Sequence, residues 1–139
     1  MSVSDTQLVA AAMEARNRAY TPYSHFAVGA ALLDEDGTVW QGCNIENAAY
    51  SPGNCAERTA IFKAISEGSR RFTAIAVAGG PAGQEVSEYT TPCGVCRQVL
   101  REFCDVKDFR ILVAKSYTEY KTYTLGELLL DGFGPENLL

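Results

Sequence analysis

Asn54-Cys55-Ala56-Glu57-Arg58 and, further along, Pro92-Cys93-Gly94-Val95-Cys96 are the stretches on which the reading of this chain turns. Zn²⁺ takes four tetrahedral ligands and accepts thiolate sulfur readily. Cys55, Cys93 and Cys96 supply three of them. A structural zinc is normally closed by a fourth protein ligand, so a three-cysteine set leaves a position for water and for chemistry. Glu57 follows Cys55 by two residues. A carboxylate beside an activated water is suited to moving protons. Positions two apart lie nearly opposite on an ideal helix. In a first turn, however, side chains splay around the open end, and Cys55 and Glu57 can then serve one point.

Both stretches read as helix starts. Asn54 is a good N-cap for a helix from about Cys55 to Ser66, with Ala56, Ala60, Ile61 and Ala64 apolar and Gly68 ending it. Pro92 precedes a second helix that runs to about Phe103. A helix N-terminus carries partial positive charge, which lowers a thiol's pKa and favours the metal-binding thiolate. Cys93 and Cys96 share one helix face. Arg58, three residues after Cys55, lies on the face of that cysteine. Its guanidinium is expected to donate to thiolate sulfur and offset the negative charge of three thiolates on one ion.

Outward from there the elements alternate. Ser4 with Gln7 forms a capping box, and Leu8, Ala11, Ala12, Ala15 and Ala19 recur at helical spacing until Pro22. Phe26 to Leu33 reads as a central strand, Asp34-Glu35-Asp36-Gly37 as a turn, and Thr38 to Cys43 as the returning strand of an antiparallel hairpin. Thr73 to Ala78 is a short buried strand, Gly79 to Thr91 a loop, and Phe109 to Ala114 another buried strand. Tyr117 to Thr124 is a fifth strand, and Leu125 to Leu130 a short helix. A parallel crossover needs about a dozen residues, so the last two strands are expected to be antiparallel. The expected fold is α/β: a mixed five-stranded sheet with helices on both faces, three layers in one domain, 1–139. Cys55 and Cys93 would then stand beside strand ends, where open sheets place ligand sites.

The totals exclude several function classes. With 47% hydrophobic and 21% charged residues the chain has ordinary globular composition. Its net charge is −5, and Arg70-Arg71 is only a short basic pair, so no nucleic-acid partner is expected. No run approaches the roughly 18 apolar residues of a membrane span. Met1-Ser2-Val3-Ser4-Asp5 has neither a basic nor an apolar leader pattern, so a cytoplasmic protein with reduced thiols is expected. Five cysteines do not suggest a disulfide framework. Two other readings stay open at this point. Cys-Gly-Val-Cys could be a redox pair, or Cys43 or Cys104 could close a four-cysteine structural zinc. Cys43 and Cys104 otherwise read as buried small hydrophobes.

Taken together, these motifs resemble the short, homotetrameric class of cytidine deaminases. The likeness covers nearly the whole chain. It runs through Pro22-Tyr23-Ser24 with Phe26, Val28-Gly29-Ala30-Ala31, and Gly42-Cys43-Asn44-Ile45-Glu46-Asn47-Ala48. It continues in Asn54-Cys55-Ala56-Glu57-Arg58, Pro92-Cys93-Gly94-Val95-Cys96-Arg97-Gln98 and Gly126-Glu127-Leu128-Leu129. The resemblance implies a cytidine-deaminase-like sheet and hydrolytic deamination of cytidine and 2′-deoxycytidine. It implies one Zn²⁺ per chain on Cys55, Cys93 and Cys96, with Glu57 moving protons. It implies ribose contacts from Asn44 and Glu46, packing of Phe26 on the pyrimidine, and base recognition near Ala56. Phe133 matches an aromatic that reaches a neighbouring subunit's site, and Tyr50 a position near the subunit interface. His25, the only histidine, matches no ligand position. The chain departs from the family pattern in the loop 79–91 and in Ser51-Pro52-Gly53.

Overall fold

The computed structural model describes residues 2–139; Met1, part of the expected 1–139 domain, lies outside them. The chain forms α1 (Asp5–Ala15), β1 (Phe26–Asp34), β2 (Val39–Cys43), α2 (Ala56–Ser66), β3 (Phe72–Pro81), α3 (Gly94–Phe103), β4 (Arg110–Ala114), β5 (Tyr120–Thr124) and α4 (Leu125–Leu128). Short 3₁₀ turns follow α1 at Arg16–Arg18 and close the chain at Pro135–Asn137. The five strands make one mixed sheet in the order β2-β1-β3-β4-β5. β1 pairs antiparallel with both β2 and β3, β3 runs parallel to β4, and β4 runs antiparallel to β5. The mixed sheet and the antiparallel last pair are those expected.

Alternation along the central strands sorts side chains into two layers. Ala31, Ala74, Ala76 and Leu112 face α1, where Leu8, Val9 and Ala12 bury themselves. Leu32, Ile75, Val77, Ile111 and Val113 face the other way, onto Ala60, Ile61 and Ala64 of α2, Leu100 of α3 and Leu125 of α4. The α1 layer is floored by small residues, so that helix sits close. A Cβ on Gly29 would come within 2.0 Å of the Ala12 carbonyl oxygen. On the opposite layer a Cβ on Gly42 would come within 2.4 Å of the Ala56 carbonyl oxygen. This second contact seats the first turn of α2 on the sheet. No helix among the described residues is long and apolar enough to cross a membrane.

Several boundaries differ from the sequence reading, each for a physical reason. α1 ends at Ala15 and not at Pro22. Arg16 there turns its guanidinium onto the carbonyls of Ala27, Gly80, Pro81 and Gln84, which fixes the chain in a 3₁₀ turn. β3 extends from Phe72 through Pro81, beyond the expected 73–78, because Gly79, Gly80 and Pro81 pair with Val28, Ala27 and Phe26 of the long β1. The loop expected at 79–91 is shorter by those three residues. β5 begins at Tyr120, not Tyr117, since the backbone N–H groups of Lys115 and Ser116 close a turn onto the Glu119 carbonyl. α4 stops at Leu128 instead of Leu130, because the backbone leaves helical geometry at Leu129, with φ −140 and ψ 83. The N-cap of α2 is Cys55, not Asn54, because the Asn54 backbone exchanges hydrogen bonds with Ile45 at 2.9 Å in both directions.

Candidate metal centre and active site

Cys55 and Cys93 are the N-caps of α2 and α3, and neither side chain makes the usual cap hydrogen bond. Their sulfurs are free to face one another. Cys96, on the first turn of α3, is fully buried behind them. Cys55 Sγ lies 3.8 Å from Cys93 Sγ, and Cys93 Sγ lies 3.5 Å from Cys96 Sγ. A tetrahedral ion with bonds of about 2.3 Å to sulfur requires sulfur separations near 3.8 Å. The three thiols are therefore positioned to hold one metal ion, and their soft donor set fits zinc. They are the one such group among the described residues, and neither Cys43 nor Cys104 joins them. Cys104 is buried in the α2 and α3 layer, where burial pushes its thiol up to about 12. Cys43 is only half-buried, at variance with the expectation of a fully buried side chain.

Arg58 Nη2 donates to Cys55 Sγ at 3.3 Å, as expected from the spacing. Its Nε is buried without a hydrogen-bond partner. The Cys55 thiol is drawn down to about 5, first by a hydrogen bond from Cys96 and, against the opposing effect of burial, by Arg58 and Cys93. Cys96 moves the other way as donor in the same contact and through its own burial. A bound Zn²⁺ deprotonates its thiol ligands outright. Glu57 is 4% exposed, one of two buried acidic or polar side chains among the described residues. Burial pushes its carboxyl up to about 7, against its own backbone N–H and the Arg58 charge. A carboxyl balanced near neutrality both accepts and returns protons.

Beside the cysteines opens a cleft of about 550 Å³, lined among others by Ser24, Asn44, Glu46, Tyr50, Cys55 and Arg58. Asn44 and Glu46 follow β2, and their side chains are already engaged. Asn44 Oδ1 accepts from the Val28 N–H at 2.9 Å, and its Nδ2 donates to the Phe26 carbonyl at 2.8 Å. The amide extends the β1 ladder past the end of β2. Glu46 accepts from the backbone N–H groups of Tyr23 at 3.0 Å and Ser24 at 3.1 Å, and from the Ser24 hydroxyl. These bonds hold its carboxyl below the usual carboxylate range, with the Ser24 hydroxyl the largest contributor. Tyr50 adopts φ +64 and meets Tyr23 edge-on at the cleft mouth, ring centroids 6.4 Å apart.

Not every expected residue comes to this cleft. Phe26 stands at the start of β1, 38% exposed, and adjoins the site through Ser24 and Asn44. Ala56 is fully buried. Phe133 is 56% exposed and lies outside the cleft, with its carbonyl held by Gln98 Nε2 at 2.7 Å. His25 lies between Ser24 and Phe26 at φ +55. Ser24 and Arg97 carry no role that the sequence alone assigns. Arg97 ties the Pro92 carbonyl at 2.6 Å to that of Leu128 at 2.8 Å and so braces the loop that presents Cys93. Both sit inside motifs quoted above, which was the available signal. A second cavity of about 610 Å³, near Arg16 and Tyr117, contains none of these groups.

Comparison with known proteins agrees with this geometry. Residues 2–113 match the family described as the cytidine and deoxycytidylate deaminase zinc-binding region. A cytidine deaminase of Sporosarcina psychrophila is 48% identical over 95% of this chain and 93% of its own length. One of Halalkalibacterium halodurans is 46% identical over 94% of this chain and 95% of its own. The crystal structure of cytidine deaminase from Burkholderia pseudomallei superposes with a TM-score of 0.84 at 43% identity, covering 94% of this chain and 99% of that one. A chain with this sheet, this cysteine triad and these relatives belongs to the cytidine and deoxycytidylate deaminase family.

Proposed function

We propose that this protein hydrolyses cytidine and 2′-deoxycytidine to uridine and 2′-deoxyuridine, releasing ammonia. The observation that carries the reading is the three-cysteine cluster at two helix N-termini with a buried carboxyl, Glu57, on the same first turn as Cys55. Relatives named cytidine deaminase support the substrate class. Cys55, Cys93 and Cys96 would hold a zinc ion, which would supply Lewis-acid activation of water. As a water oxygen bonds to C4, Glu57 takes one of its protons and gives it to N3 of the pyrimidine; Glu57 then takes the remaining proton from the C4 hydroxyl and passes it to the amino group, so that the C4–N bond breaks as the carbonyl forms and ammonia leaves. Backbone N–H groups in the first turns of α2 and α3, near Ala56 and Cys93, read the base edge, and Phe26 packs on the ring.

The sugar contact follows from the donors and acceptors left over. Asn44 has one amide hydrogen uncommitted, and Glu46 retains acceptor capacity. A sugar hydroxyl can accept from the first and donate to the second. The anionic Glu46 also repels a nearby phosphate, so the substrate is a nucleoside rather than a nucleotide. Exposed Phe133 and Tyr50, 56% and 79% accessible, fit an assembly in which copies of the chain complete one another's sites, and we read it as a homotetramer. Five free cysteines suit the reducing cytoplasm.

The test is to load the protein with zinc, add cytidine and follow loss of its absorbance, with Glu57→Gln in parallel. Conversion by wild type and a loss of at least about 10²–10⁴-fold in the variant are expected, the range typical of general acid–base catalysis. Near-wild-type activity in Glu57→Gln would sink its assignment. No conversion by protein holding one zinc per chain would move the substrate to another aminated nucleoside.

A further inference from the structure

We propose that Ser24 is a positioning residue whose hydroxyl anchors the Glu46 carboxylate to the start of β1 at Phe26 and so sets the sugar contact. The inference rests on the reading of Glu46 given under Proposed function. Ser24 Oγ donates to Glu46 Oε2 and accepts from the Phe26 N–H at 3.0 Å. A hydroxyl carries one donor and can accept at the same time, so both roles are filled by one atom. The second carboxylate oxygen is held by the backbone N–H groups of Tyr23 and Ser24 at 3.0 and 3.1 Å. Three donors from one short segment thus grip one side chain.

The backbone around Ser24 is shaped for this. His25, between Ser24 and Phe26, is left-handed at φ +55, a conformation uncommon for a residue with a side chain. The loop is tied to the segment that follows β2 at two further points: Tyr20 N–H donates to the Asn44 carbonyl at 3.0 Å, and Glu46 N–H to the Tyr20 carbonyl at 2.9 Å. Ser24 closes this frame on the cleft side, where it lines the wall with Asn44 and Glu46. With its oxygens fixed, Glu46 meets a ligand only as an acceptor. The sugar group opposite it must therefore donate, and losing the Ser24 hydroxyl releases the carboxylate rotamer on which that contact depends.

The experiment compares wild type, Ser24→Ala and Ser24→Thr, all zinc-loaded, on cytidine and on 2′,3′-dideoxycytidine. A hydrogen bond to a charged group corresponds to roughly tenfold or more in binding. Ser24→Ala should raise KM for cytidine about tenfold and change kcat by less than about threefold, while the dideoxy substrate, which cannot donate to Glu46, should lose less than about threefold. Ser24→Thr keeps a hydroxyl and should stay within about threefold of wild type on both substrates. As a second readout, adding Ser24→Ala to Glu46→Gln should cost less than about twofold further. Equal losses on the two substrates, full additivity with Glu46→Gln, or no loss at all would each overturn the inference while leaving the deaminase reading intact. Wild-type protein that does not convert cytidine would overturn both.

Discussion

Arg58 is where charge balance at the metal centre can be tested one side chain at a time. Three thiolates on one Zn²⁺ leave a net negative charge, and Arg58 brings a guanidinium to 3.3 Å from Cys55 Sγ. Removing it leaves that charge uncompensated in a half-buried setting. Arg58→Ala is expected to weaken zinc retention by about 10- to 100-fold, the usual cost of losing a partner of a metal ligand. Competition with a chromogenic chelator measures this, and unchanged retention would refute the role. Type and spacing made the cysteines and Arg58 readable in the sequence, because ligand chemistry and helical periodicity are local properties. Burial is not local. That Glu57 is 4% exposed depends on how the layers close over α2, so its pKa near 7 could not be read from Cys-Ala-Glu. Ser24 was equally hidden, since its partner Glu46 lies twenty-two positions away.

At the scale of elements, two glycines separate fold stability from site geometry. Gly42 allows α2 to rest on β2, and Gly29 allows α1 to rest on β1. Overpacking a core typically costs about 1–3 kcal/mol. Gly42→Ala and Gly29→Ala should both destabilise by at least that range in urea titrations, since each new Cβ meets backbone. Only Gly42→Ala should also weaken zinc binding, because it displaces the helix that begins at Cys55; equal zinc affinity in the two variants would argue against this division. The β1–β2 turn offers a pH test. Asp34, 5% exposed, accepts from the N–H groups of Asp36 and Thr38, from Trp40 Nε1 and from the Ser69 hydroxyl at 2.9–3.0 Å. Burial alone would push its carboxyl up, but these four donors together bring it below the ordinary value. Its contribution to stability is therefore complete above the unfolded pKa of about 3.9 and disappears as pH falls through the folded value. Asp34→Ala should cost about 2–3 kcal/mol at neutral pH, by leaving donors unpaired. Asp34→Asn should flatten the loss of stability below about pH 4; a wild-type slope there would remove Asp34 from the account. Element order and strand direction were legible because alternation, caps and turn residues agree with one another. The extension of β3 through Gly79-Gly80-Pro81 was not, since glycine and proline signal a loop unless a long neighbour such as β1 recruits them.

For the whole molecule, the C-terminal segment raises the question of shared sites. α3 holds it from outside the cleft. Gln98 Nε2 donates to the Phe133 carbonyl at 2.7 Å, Arg101 pairs with Glu136, and Gly134 packs against the Arg101 guanidinium so closely that a Cβ would come within 2.3 Å. The backbone carbonyl is held while Phe133 as a whole stays 56% exposed. An aromatic presented this way from a fixed segment suits contact with another copy better than cover for its own core. If Phe133 completes a neighbour's site, each site takes Glu57 from one chain and Phe133 from another. Glu57→Gln and Phe133→Ala should then each be impaired alone. Unfolded together and refolded as a mixture, they should regain activity. In equal, randomly assorted amounts, about one quarter of sites would receive an intact Glu57 and an intact Phe133, so recovery should approach about a quarter of the wild-type rate. If Phe133 served only its own chain, no mixture could exceed the sum of its parts. The same mixture gives the assembly state by light scattering: recovered activity in a particle of several chains supports the shared site, and no recovery in such a particle confines Phe133 to a role within its own subunit.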